Sequence, residues 1–172
     1  MLREPRPPQG NVIVTAEFAP DIGESGTARL FCVEMKPGSI CLPLLTEVQE
    51  QALGGCFARR MGAFVRDIKE RYLKDDGQEQ SLLERLKMNF SGLRSHWRNE
   101  LKEKSIPFHD RLPDTLACLE VGFLFLTDFL CAKDITDERD ATELQNRLHT
   151  VLLHLSAKQS EDSPTHIFLR MM

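Results

Sequence analysis

The stretch Leu116 to Cys131, LACLEVGFLFLTDFLC, decides how the rest of the chain reads. Only Glu120, Thr127 and Asp128 interrupt its apolar character. A helix without a continuous polar face is normally buried by its neighbours. Its sixteen residues fall short of the ~20 that cross a bilayer comfortably. The stretch is therefore expected to be the central helix of a soluble bundle, sheathed by amphipathic helices, with no other segment able to span a membrane.

Moving outward, the flanking segments carry the helical period. On the N-terminal side Val48, Ala52, Cys56, Phe57, Met61, Phe64, Val65, Ile68 and Tyr72 recur at spacings of three and four. Thr46 and Gln49 fit a capping box at the start of this long helix, which ends near Lys74. The Gly54-Gly55 pair weakens it and marks a kink or a close approach of another helix, since glycine costs ~1 kcal/mol against alanine there. Ser81 and Glu84 form a second capping box, ahead of a stripe of Leu83, Leu86, Phe90, Leu93, Trp97 and Leu101. Pro113 suits the first turn of the helix that contains the apolar stretch. Lys133-Asp134 ends that helix, Thr136 or Asp137 caps the last one, and Ala141, Leu144, Leu148, Val151, Leu152 and Leu155 line its buried side.

Before residue 44 the period changes. Asn11 to Phe18 alternates, with Val12, Val14, Ala16 and Phe18 on one side, and Ala28 to Met35 reads as a second strand closed by Pro37-Gly38. The expected organisation is a flexible arm over 1–10, a β-hairpin appendage over 11–38, a helical bundle domain over 44–158 and a tail over 159–172. The fold class is mainly α: a four-helix orthogonal or up-down bundle with an N-terminal β-hairpin.

Composition sets the outer bounds. The 172 residues are 41% hydrophobic and 28% charged, with a net charge of −4, which is ordinary globular usage. The acidic balance argues against a dedicated nucleic-acid binder. MLREPRPPQG at the N-terminus has no apolar run and does not read as a secretory signal. Five cysteines with no C-x-x-C spacing point to a reduced, cytoplasmic protein. Cys118 and Cys131 fall within the apolar stretch, where a free thiol acts as a small hydrophobe.

No catalytic, metal-ligating or cofactor-binding set stands out, and no enzyme is expected. His149 and His154 are five apart and splay around a helix, and no cysteine completes a zinc motif. The five histidines read as surface imidazoles. Gly23-Glu-Ser25-Gly26 resembles part of a nucleophile elbow, but its second glycine falls one place early. Arg59, Arg60 and Arg66, with further Arg and Lys to Lys104, are interleaved with acids. That pattern is usually a solvated face.

Leu45-Thr46, Gln49, Ala52-Leu53, Phe57-Ala-Arg-Arg60-Met61 and Arg66 together resemble the opening of small helical accessory proteins encoded in type VI secretion gene clusters. The resemblance runs over about residues 44–130, through Leu82 to Leu101 and Ile106, to the Asp128-Phe129 pair. Just before Ile106 the family pattern has a small residue and a glycine, where this chain has Glu103-Lys104-Ser105. The resemblance implies a non-catalytic adaptor, chaperone or co-chaperone that loads an effector on the secretion spike. Its partner would be a secretion adaptor, effector or toxin. Ile13, Thr15, Arg29 and Phe31 on the hairpin, with Arg59, Arg60 and Arg66, are the candidate partner-binding residues. An exposed hairpin edge can add strands to a partner's sheet. Glycine-paired helices also permit a homodimer. Two rival readings are an immunity protein that neutralises a toxin, for which an acidic surface steers a basic partner, and a regulator that binds nucleic acid through the Arg/Lys faces.

Overall fold

The computed structural model describes residues 13, 15, 30–33, 35–73 and 81–161. The chain is mainly helical, with five helices and no strand among the described residues. They are α1 (Leu42–Leu53), α2 (Cys56–Leu73), α3 (Leu82–Glu103), α4 (Leu112–Ala132) and α5 (Glu138–Glu161). Most of the expected hairpin lies outside the described residues, as do the arm and the tail beyond 161. Of the expected second strand, Leu30 to Val33 and Met35 are described, while most of the residues it would pair with lie outside the described ones.

The first expected helix is two helices. α1 begins at Leu42 with proline in its first turn, where the missing amide costs nothing. Thr46 is therefore inside α1, and its hydroxyl donates to the Leu42 carbonyl at 3.1 Å instead of capping. The break comes at the glycine pair, where Gly55 takes φ +72°, a conformation that a Cβ disfavours. The Ser81 box is formed as expected: the Glu84 amide donates to Ser81 Oγ at 3.3 Å, and the Ser81 amide donates to Glu84 Oε2 at 3.1 Å. At the start of α5 it is Asp137 that caps, its Oδ1 accepting from the Asp140 amide at 2.7 Å.

Two helices end in the same device without glycine. After α3 the Ile106 amide reaches back to the Leu101 carbonyl and the Ser105 amide to Lys102. After α4 the Ile135 amide reaches Leu130 and the Asp134 amide reaches Cys131. This is the paired Schellman closure, and it places Ser105 and Asp134 at φ +54°.

α3, α4 and α5 build the core. Trp97 and Leu101 from α3, Leu116 and Ala117 from α4, and Leu152 from α5 are buried together. Complete burial of a leucine contributes ~1.5–3 kcal/mol. Phe90, Leu93, Leu148, Leu153 and Ile106 pack around this cluster. On α3 it is Leu82 that is buried, and Leu83 is exposed. On α5 Ala141 and Leu152 are buried, whereas Leu144 and Val151 are exposed. α2 joins through Phe64, whose ring meets Phe129 edge-on at 5.4 Å, and through Asp67, 3.7 Å from Lys133.

The apolar stretch is not sheathed on all sides. Leu116, Ala117, Thr127 and Phe129 are buried, while Cys118, Leu119, Gly122 and Leu126 are exposed on one open face. The helix is also longer than the stretch. Its 21 residues are long and apolar enough, by length and composition, to cross a membrane, and 28% of its most apolar window is buried within the fold. Glu120 and Thr127 nonetheless have partners on neighbouring helices. Thr127 accepts from Gln145 of α5 at 2.7 Å, and Glu120 accepts from Trp97 of α3 at 2.6 Å.

Candidate functional site

The three core helices bring ionisable side chains together around Trp97. His96 and Glu100 are four apart on α3, so they share a face. His149 approaches from α5 and Glu120 from α4. His149 Nε2 donates to Glu100 Oε2 at 2.8 Å. His96 Nε2 lies 3.5 Å from the same oxygen, and His149 Nδ1 lies 3.7 Å from Glu120 Oε1. The His149 ring stacks on the Trp97 indole, with centroids 4.3 Å apart. The His96 side chain is 57% exposed and that of His149 is 25% exposed, so the cluster sits at the rim of the core, open to water on its His96 side. One donor atom from each of His96, Glu100 and His149 falls within 4.8 Å of the others.

His149 is therefore not the surface imidazole expected, whereas His96, His109 and His154 are exposed as expected. Spacings among histidines and cysteines alone do not reveal the cluster. The same-face pair His96-x-x-x-Glu100 was visible in the sequence. Its convergence with His149, across 49 residues, depends on how α5 packs on α3.

The residues expected to bind a partner differ in their surroundings. Ile13 and Thr15 are exposed, and Arg29 lies outside the described residues. Phe31 is turned inward, packed against the core cluster; beside it the Leu30 carbonyl accepts from Gln159 of α5 at 3.0 Å. Arg59 donates from Nη1 to the Gly54 carbonyl at 2.9 Å and so fastens the end of α1. Arg60 and Arg66 are exposed on α2.

A different surface of α2 is open. Its packed side runs through Cys56, Ala63, Phe64, Asp67, Ile68 and Arg71, all partly buried. Successive residues turn by ~100°, which puts Phe57, Met61, Val65 and Tyr72 on an adjoining arc. All four are exposed, Met61 at 61% and Val65 at 55%. The apolar arc of α2 is wider than the strip that α4 covers. A second apolar feature is a shallow groove of about 360 Å³ between α3 and α4, lined by Leu86, Lys87, Phe90, Cys118, Val121 and Gly122. At its wall the Cys118 thiol is pushed above the usual cysteine range, first by the apolar surroundings that desolvate it and then by the Asp114 carboxylate. No family model, no curated protein and no solved structure matches this chain.

Proposed function

We propose that this chain is a non-catalytic binding protein whose partner docks on the open arc of α2. The observation that carries the reading is the exposed stripe of Phe57, Met61, Val65 and Tyr72. Contiguous apolar surface left open by a folded chain marks an interaction site more often than scattered single residues do. α2 also carries five basic against two acidic side chains, in a protein whose net charge is −4. Arg66 and Lys69 border the stripe on its Val65 side, as the helical period requires. The partner that fits is a protein that offers an apolar helix or groove edged by carboxylates.

Within that reading, the resemblance to type VI secretion accessory proteins gives the partner a class: an adaptor or effector kept soluble until it is loaded on the spike.

The test is co-expression of the tagged chain with the proteins encoded beside it. A stoichiometric complex is expected, lost in Met61→Asp and Val65→Asp but retained in Arg98→Ala on α3. A chain that purifies alone from every pairing, or a complex indifferent to both α2 substitutions, overturns the reading.

A further inference from the structure

We propose that His96, Glu100 and His149 form a binding site for a divalent transition-metal ion, zinc above all, at the rim of the α3–α4–α5 core. The proposal stands apart from the docking surface on α2.

The donor set suits the ion. Two imidazoles and a carboxylate are borderline ligands that favour zinc and its neighbours over calcium or magnesium. Zinc at ~2.0–2.1 Å from each donor separates tetrahedral ligands by about 3.3–3.4 Å. The observed separations from Glu100 Oε2, 2.8 Å to His149 Nε2 and 3.5 Å to His96 Nε2, straddle that value. His96 is the most exposed of the three, so it can swing to close the remaining gap within the 4.8 Å span. Water on its open side supplies the fourth ligand, as in sites with three protein donors.

A carboxylate also stands behind His149, just beyond hydrogen-bond length. Metal-bound imidazoles usually donate their other ring N–H to a carboxylate that fixes the tautomer. His149 Nδ1 faces Glu120 Oε1 at 3.7 Å, and the other oxygen of Glu120 is held by the Trp97 indole at 2.6 Å. With a metal on Nε2 the ring proton would sit on Nδ1, and closing the 3.7 Å gap by roughly half an ångström would let Glu120 accept it. Lys104 Nζ lies 3.9 Å from the other oxygen of Glu100, on the solvent side, and leaves Glu100 Oε2 to the imidazoles.

The site carries its own reporter. Trp97 is the sole tryptophan of the chain, and its indole stacks on a proposed ligand. Cobalt bound at His149 quenches Trp97 fluorescence on contact, and zinc displaces it. Titration of the full chain with Co²⁺ is expected to quench with one-to-one stoichiometry, to show the visible bands of a low-coordinate cobalt ion without a thiolate charge-transfer band, and to be reversed by Zn²⁺. His96→Ala, at an exposed position that leaves the fold intact, is expected to weaken binding at least tenfold. Glu120→Gln, acting behind His149, weakens it by about 10- to 100-fold. His154→Ala, on the same helix as His149 but outside the cluster, leaves it unchanged. Absence of quenching at micromolar Co²⁺, a thiolate band in the cobalt spectrum, or undiminished affinity in His96→Ala would overturn the site.

Discussion

Trp97 donates from its indole nitrogen to Glu120 at 2.6 Å and stacks its ring on His149 at 4.3 Å, so one buried side chain ties α3 to both α4 and α5. A hydrogen bond to a charged group contributes ~1.5–3 kcal/mol, and an unpaired buried donor costs its full desolvation. Glu120→Leu is therefore expected to lower unfolding stability by about 2 kcal/mol in urea titrations. Glu120→Gln, which keeps an acceptor for the indole, should lose less than half as much. Equal losses in the two variants would show that the bond contributes nothing beyond packing.

The Cys118 thiol is raised by desolvation first and by Asp114 second. A raised thiol holds less thiolate near neutral pH, and the thiolate is the nucleophile. Cys118 should therefore react with iodoacetamide more slowly than the exposed Cys41. Asp114→Asn removes the carboxylate, lowers the thiol toward the ordinary range and speeds alkylation at Cys118. Desolvation remains, so the rate stays below that of Cys41. Peptide mass spectrometry against pH reads both rates, and a Cys118 rate unaltered by Asp114→Asn would remove the electrostatic part of the explanation.

Capping at Ser81, the proline at the head of α4 and the burial of Trp97 follow from local rules, and each was legible from a few residues. Thr46 fits a capping box as well as it fits a helix interior, and only the proline in the first turn of α1 separates the two. The open face of α4, with Cys118 on it, was not legible at all. An apolar helix looks the same from its sequence whether two neighbours cover it or four. The cluster at Glu100 was half legible: His96 is one turn away on α3, whereas His149 arrives only through tertiary packing.

Ser105 and Asp134 hold φ +54° at the ends of α3 and α4. The left-handed region costs an L-residue roughly 1–2 kcal/mol, whereas glycine enters it freely. Part of that gain is returned through the looser unfolded chain. Ser105→Gly and Asp134→Gly should each stabilise the protein by about 0.5–1 kcal/mol, and the double variant should be close to additive because the two caps share no partner. Ser81→Ala, which removes the α3 N-cap, should destabilise by about 1 kcal/mol. Thermal unfolding followed by circular dichroism orders the three, and a destabilising glycine at either position would contradict the cap geometry.

Adjacent residues on α2 separate folding from binding. Phe64 meets Phe129 at 5.4 Å and fastens α2 to α4. Val65, one position on, points along the exposed arc. Phe64 is itself only half-buried where it meets the buried Phe129, so Phe64→Ala is expected to cost about 2 kcal/mol, below the 3–5 kcal/mol of a fully buried phenylalanine. Val65→Asn removes no internal contact of consequence and should stay within about 0.5 kcal/mol of the parent. If a partner covers the arc, the order reverses in a binding measurement. Val65→Asn then weakens the complex at unchanged folding stability, because a buried valine in the interface has become a polar side chain with nothing to pair with. A Val65→Asn protein that unfolds as readily as Phe64→Ala would show that the arc is internal packing rather than an open surface.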